Sequence, residues 1–160
     1  MAKIDITKLW ALNYRLITSV IGEVSPALRK LGIEVKELFL LAELDAHPHP
    51  AALAEALLMP KPSVTVYVKR LEAAELVKRE IDSGDLRRHK LSLTPEGRKV
   101  MASGLALLAE AFGQRLARLT ATQQAELKSL LEKMRELRIG CNHGTGFRCT
   151  DTFHDYESVW

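Results

Sequence analysis

At 160 residues, 47% apolar and 27% charged, the chain has the length of one soluble domain with an appendage and enough apolar side chain for a core. Aromatics at 6% are too few for a stacking platform on single-stranded nucleic acid, the longest apolar run (Leu38 to Ala42) is too short to span a bilayer, and Cys141 and Cys149 cannot build a disulfide framework. The net charge of +3 is local: residues 61–90 hold eight bases against five acids and the remainder is balanced, the footprint expected of a polyanion binder, with a chance surplus on a solvated surface as the other reading of charge alone.

The N-terminal Met-Ala-Lys-Ile-Asp carries no apolar signal core, so the cytoplasm is the expected location. The spacing of Ile6, Leu9, Leu16, Val20, Val24, Leu28 and Leu31 predicts a helix over about residues 4–31, with Trp10, Ile17 and Ile21 widening its stripe. Pro26 is expected to kink that helix or end its main run, because it lacks a backbone donor and crowds the preceding turn. Gly32 breaks the pattern. A second helix is expected over 34–45, with Val35, Leu38, Phe39 and Ala42 turned inward and Leu41 a further candidate, until His47-Pro48-His49-Pro50 stops it. A short helix follows at about 51–57, then the tight link Met59-Pro60-Lys61-Pro62, then a helix over about 61–74. Val64, Val68 and Leu71 form the inner stripe of that last helix and Tyr67 flanks it. Pro62, Val66 and Lys69 lie near the opposite face, with Thr65 and Arg70 beside them. Two short helices on a tight link make a helix-turn-helix.

The period then changes to two. Val77, Arg79 and Ile81 alternate with Lys78, Glu80 and Asp82; Asp82-Ser83-Gly84-Asp85 supplies turn chemistry; Lys90-Leu91-Ser92-Leu93 alternates again. This predicts a β-hairpin whose projecting loop carries Arg87 and Arg88 near the returning strand. Thr94-Pro95-Glu96 is a helix start in cap, first position and dipole complement. That helix is expected to reach about residue 119 along Val100, Met101, Leu105, Leu108, Phe112, Leu116 and Leu119. Thr120 to Gln123 resembles a capping box opening a last helix that ends at Gly140.

The expected fold class is therefore mainly α with a small β-hairpin wing: a winged helix-turn-helix at 34–94, a helical dimerisation region at 1–33 and 95–137, and a tail at 138–160. The terminal helices carry more apolar surface than one small domain needs to cover itself, and a two-fold homodimer is the commonest way to bury it. Such a dimer sets two recognition helices one turn of DNA apart, about 34 Å.

These residues resemble the MarR family of bacterial transcriptional regulators over about residues 5–137. The resemblance rests on Leu53-Ala54-Glu55, Ser63-Val64, Val68-Lys69-Arg70-Leu71-Glu72 and Leu76-Val77, then Asp82-x-x-Asp85-x-Arg87, then Leu93-Thr94-Pro95-Glu96-Gly97. It implies a homodimeric, sequence-specific regulator of double-stranded DNA with a pseudo-palindromic operator, most often a repressor. The resemblance also implies a recognition helix in the major groove, a wing tip in the minor groove, and release when a small aromatic or lipophilic acid, an oxidant or a metal binds. Three places depart from the pattern: Leu58 stands where the family usually has Gly in the turn, Pro60 where it has Ser or Thr as helix cap, and Glu75 where it tends to have Gly. A non-Gly residue at the last place carries strain if its backbone is left-handed.

The DNA-binding candidates follow. Lys61, Lys69 and Arg70 suit phosphates; Ser63, Thr65 and Val66 suit base edges, with Val66 or the Thr65 methyl against a thymine methyl; Pro62 packs on the backbone. Arg87 matches the wing arginine, Asp85 is placed to orient it, and Arg88 is the fallback. The effector candidates are Trp10, Asn13, Tyr14, Arg15 and Phe39, Arg15 being the partner for a ligand carboxylate. In the tail, Cys141, His143, Cys149 and His154 offer ligands for zinc, or a thiol switch between the cysteines, beside simple packing. His47 and His49 flank prolines and read as solvated or as ligands. No cofactor is required and no glycine-rich phosphate loop, paired carboxylates or nucleophile elbow points to an enzyme. A dimeric interaction protein with a degenerate DNA-binding domain is the alternative, as is a metal- or thiol-responsive regulator.

Overall fold

The computed structural model describes residues 4–82 and 85–135, without the side chains of residues 82, 85–88 and 135. In chain order the elements are α1 (Ile6–Lys30), α2 (Val35–Glu43), α3 (Pro50–Ala56), α4 (Lys61–Ala73), β1 (Val77–Asp82), β2 (Asp85–Leu93), α5 (Pro95–Leu116) and α6 (Ala121–Arg135). The two strands pair antiparallel as a wing. α5 packs on α1 and α2, and α3 packs on α4.

Local chemistry sets the boundaries. The Asp5 side chain caps α1 by accepting from the Lys8 amide at 3.1 Å. Glu34 and Glu37 form a capping box on α2. Thr94 caps α5, its hydroxyl accepting from the Gly97 amide at 2.9 Å, with Pro95 in the first turn. Thr120 and Gln123 exchange the reciprocal pair of bonds that opens α6. Pro26, by contrast, does not end α1, which continues to Lys30. Gly22 and Pro26 both lie on the solvent face, so the Gly22 carbonyl, which the proline cannot serve, is open to solvent.

The core gathers Val20, Val24 and Leu28 of α1, Leu38, Leu40 and Leu41 of α2, Leu53 of α3, Val64, Val68 and Leu71 of α4, and Val77, Leu91 and Leu93 of the wing root. Three expectations are corrected here. Phe39 is not core: Leu40 takes an inward position beside the expected Leu38 and Leu41, and Phe39 is turned out. The stripe of α1 is buried only in its second half, and Ile6, Leu9, Trp10 and Leu16 stand exposed where the helix runs beyond the body of the chain. The wing has a shorter loop than expected, because β2 begins at Asp85. Asp82 pairs with Asp85 and Ile81 with His89, so Leu86, Arg87 and Arg88 lie in an irregularity of β2 rather than in a free loop. The expected end of the last helix at Gly140 falls outside the described residues.

The apolar residues expected to carry the inner face of α5 are only half-buried. Its fully buried positions are Gly97, Gly104 and Ala111, seven apart on one side of the helix. A Cβ on Gly104 would lie 2.6 Å from a Leu38 methyl, and one on Gly97 would lie 2.0 Å from the Leu76 carbonyl oxygen. Small residues are what let α5 approach the core and the wing root so closely. Gly97→Ala is accordingly expected to cost about 3 kcal/mol in urea unfolding, since backbone cannot move aside as a side chain can. Gly113→Ala, with nothing within 4 Å, is expected to stabilise by about 0.5–1 kcal/mol.

Candidate nucleic-acid interface and ligand cavity

α3 and α4 are joined by a turn that rests on a left-handed residue. Leu58 has φ 51° and follows the end of α3; Glu75 has φ 56° and follows the end of α4. Both sit in the same backbone-bonded cap that Gly32 makes after α1, with the next amide reaching back to a carbonyl of the last turn: Met59 to Ala54, Leu76 to Leu71, Ile33 to Leu28. The strain expected at Glu75 is therefore present, and Leu58 shares it. Pro60 is the N-cap of α4 with no side-chain bond, as its chemistry requires; its carbonyl accepts from the Ser63 and Val64 amides.

α4 buries Val64, Val68 and Leu71 and turns Lys61, Pro62, Thr65, Val66 and Lys69 to the outside. Val66 is 56% exposed, an apolar side chain held in water at the centre of a basic face. The Thr65 hydroxyl donates to the Lys61 carbonyl at 3.0 Å, and Ser63 is half-buried. Lys61 and Lys69 make no ion pair among the described residues. Arg70 differs. Its guanidinium lies 3.3 Å from Glu34 and 3.1 Å from Glu37, whose carboxylate is 2% exposed and also receives the Glu34 amide. Arg70 thus locks α4 to the start of α2, a job that competes with phosphate binding. Arg79 is likewise committed, to Glu72, and ties β1 to α4.

The wing is anchored by the stretch before α3. The Leu91 amide donates to the Pro48 carbonyl at 2.7 Å, and His49 Nδ1 lies 3.2 Å from the His89 carbonyl. His47 and His49 are thus half-buried at a junction rather than solvated. Asp85, Arg87 and Arg88 are on β2, and their side chains lie outside the described residues.

A cavity of about 720 Å³ opens between α1, α2, the end of α3 and α5, a size suited to a drug-sized ligand. It is lined by Leu16, Ile17, Val20 and Ile21 of α1, Phe39, Ala42 and Glu43 of α2, Ala56 to Leu58 at the turn, and Leu105, Leu108, Ala109 and Phe112 of α5. Of the expected effector residues, Phe39 alone is in this lining. Trp10, Asn13, Tyr14 and Arg15 are exposed on α1, nearer its N-terminus. Arg15, the expected partner of a ligand carboxylate, is not among the wall residues, which begin at Leu16 on α1. The sequence reading missed Glu43, although an acid inside the apolar run Leu38 to Leu44 was a legible signal.

Glu43 is 5% exposed. Burial raises its carboxyl above the ordinary value of 4.5, partly offset by His47, whose Nε2 stands 3.8 Å away, buried and without a hydrogen-bond partner. Cys141, His143, Cys149 and His154, with the zinc and thiol readings attached to them, lie outside the described residues. Among the described residues no group of three or more His, Cys, Asp or Glu is placed to hold a metal, and no helix is long and apolar enough to cross a membrane.

A helix-turn-helix whose second helix presents a basic outer face, with a two-stranded wing at its side, defines a winged helix-turn-helix DNA-binding protein. The model of the MarR family matches residues 31–88. The HTH-type transcriptional repressor Rv2887 of Mycobacterium tuberculosis (strain H37Rv) is 33% identical over 136 residues, covering 84% of this chain and 98% of that protein. The crystal structure of that MarR family protein in complex with DNA superposes with a TM-score of 0.67 at 34% identity, covering 79% of this chain and 96% of the other. Its complex with p-aminosalicylic acid gives 0.65 at 33% identity, over 79% and 97%. The chain belongs to the MarR family of winged helix-turn-helix transcriptional regulators, a family of regulators and not of enzymes.

Two outcomes follow from this geometry. Glu75→Gly is expected to raise stability by about 0.5–1 kcal/mol in chemical unfolding, since it relieves a left-handed conformation with a side chain that makes no core contact. Glu43→Gln is expected to raise the melting temperature at pH 8, where the wild-type carboxylate is charged at a desolvation cost. The gain should shrink as pH falls toward 4.5 and below, where the unfolded carboxyl is protonated too.

Proposed function

We propose that the protein is a homodimeric, cytoplasmic repressor that binds a pseudo-palindromic operator and leaves it when a lipophilic small molecule fills the cavity. The observation that carries this reading is the outer face of α4, where Lys61, Pro62, Thr65, Val66 and Lys69 are exposed together and neither lysine has an ion pair among the described residues. Lys61 and Lys69 hold phosphates and so set register; Thr65 and Val66 meet base edges in the major groove, with a methyl against thymine. Arg87 of β2, with Asp85 and Arg88 beside it, enters the minor groove. Homodimerisation is supported by apolar side chains that one chain leaves in water: Ile6 and Trp10 on α1, 77% and 67% exposed, and Leu130, Leu131 and Met134 on α6.

The cavity suits an effector because its wall includes the turn itself. Leu57 and Leu58 sit between α3 and α4, so a ligand pressing on them acts on the segment that aims the recognition helix. On the other side Glu43 and His47 lead directly to Pro48, whose carbonyl holds the wing at Leu91. A ligand that favours one setting of these contacts shifts the DNA-binding equilibrium by its differential affinity for the two settings. The relative solved with p-aminosalicylic acid and with DNA supports a ligand-responsive reading.

The test is a fluorescence-anisotropy titration against the region upstream of the protein's own gene and a scrambled duplex, at two salt concentrations. Tight, salt-sensitive binding to the first and weaker binding to the second is the expected result. Equal, salt-independent or absent binding by a folded dimer would favour the interaction-protein alternative. Lys69→Ala is expected to weaken binding to both duplexes alike and to lower the slope of log affinity against log salt by about 1. Arg87→Ala is expected to cost about 1–3 kcal/mol on the operator alone.

A further inference from the structure

We infer that the cavity takes a lipophilic cation, with its positive centre against the Glu43 carboxylate and its apolar groups among Val20, Phe39, Leu105 and Phe112. The inference rests on reading the cavity as a ligand site. It assigns the charge class of the ligand, which an aromatic-acid expectation had set the other way. Among the described residues that line the cavity Glu43 is the single ionisable side chain, and no lysine, arginine or histidine stands with it to meet an anion. Arg15, the cation expected for that purpose, is on the exposed face of α1 outside the walls.

The carboxylate is also incompletely served. It is 5% exposed, and its nearest partner is the His47 ring at 3.8 Å, beyond hydrogen-bond distance. A buried charge without a close counter-ion is costly, and an incoming cation removes that cost, whereas an anion would add a second unpaired charge of the same sign. Burial already raises the carboxyl above its ordinary range, so a cation also stabilises its ionised form. The remaining walls are aliphatic and aromatic, and ring faces accept a diffuse cation as readily as they accept hydrocarbon. A hydrophilic ammonium would forfeit hydration here, so the charge belongs on a bulky apolar frame.

Tetraphenylphosphonium and tetraphenylborate make the test, being matched in size and shape and opposite in charge. Both are titrated calorimetrically into the full-length wild-type protein in potassium-free buffer. The phosphonium ion is expected to bind at least about tenfold more tightly than the borate, and Glu43→Gln to bring the two within about threefold. Ala109→Trp, which fills the cavity, is expected to abolish phosphonium binding. Equal affinities, preference for the borate, no phosphonium binding by folded protein, or binding that survives Ala109→Trp would each overturn the inference. So would a charge preference unchanged by Glu43→Gln. Release of operator DNA is followed separately by anisotropy. Phosphonium binding through Glu43 that leaves DNA bound would uphold the ligand class while removing the effector role.

Discussion

One hydroxyl group organises the DNA-binding half of the molecule. Thr94 Oγ1 accepts from the Gly97 amide, which starts α5, and donates to the Glu75 carbonyl, which ends α4. Its own amide donates to the Leu76 carbonyl, which closes the base of the wing. The end of the recognition helix, the root of the hairpin and the start of the long helix are thus set by a single residue. The glycine three places on has no side chain because the same Leu76 carbonyl occupies the space a Cβ would need. This explains why Leu76-Val77 and Leu93-Thr94-Pro95-Glu96-Gly97 occur together: each half is the packing surface of the other. It also explains how Glu75 is held left-handed against its own preference, since the bonds on either side over-determine it.

The basic segment divides into two kinds of cation. Arg70 and Arg79 have acidic partners within the chain and fasten α4 to α2 and to the wing. Lys61 and Lys69, on the outer face, have none among the described residues. Lys78 also has an acidic partner, Glu80, so the division follows place in the fold as well as side-chain type. Guanidinium forks hold a fixed geometry against carboxylates, while an ammonium on a flexible stem follows a phosphate backbone. A charge surplus therefore overstates the surface offered to DNA, since part of it is internal framework.

The cavity and the DNA-binding surface share material. Leu57 and Leu58 line the first and form the turn of the second. Glu43 lines the cavity, while His47, one helical turn on, leads through Pro48 to the wing. A ligand in the cavity would need no long path to the DNA-binding surface, because Leu57 and Leu58 belong to both the wall and the turn.

How much was legible in the sequence varied with the range of the interactions. The helices, the hairpin and the caps at Thr94 and Thr120 follow from neighbours three or four residues apart, and the residues themselves state that chemistry; the Asp5 cap was not read, because the first helix was expected to begin one residue earlier. The order of elements and the motifs around Val68 to Leu71 and Leu93 to Gly97 identified the family for the same reason. Burial did not follow so well, because it depends on what lies opposite. Half of the α1 stripe is exposed in the chain taken singly, Phe39 yields the core to Leu40, and α5 presents glycines where its leucines were expected. Of the expected effector residues only Phe39 lines the cavity, and Trp10, Asn13, Tyr14 and Arg15 precede its first wall residue on α1, since the position of the cavity is set by where α1, α2 and α5 diverge. The pairing of Arg70 with Glu34 and Glu37 spans more than thirty positions in sequence. No periodicity encodes such a contact. The sequence by itself determined the elements and the family; the tertiary structure alone decided which charges are free, which apolar residues are covered and where a ligand fits. Those properties belong to pairs of residues that only folding brings within reach.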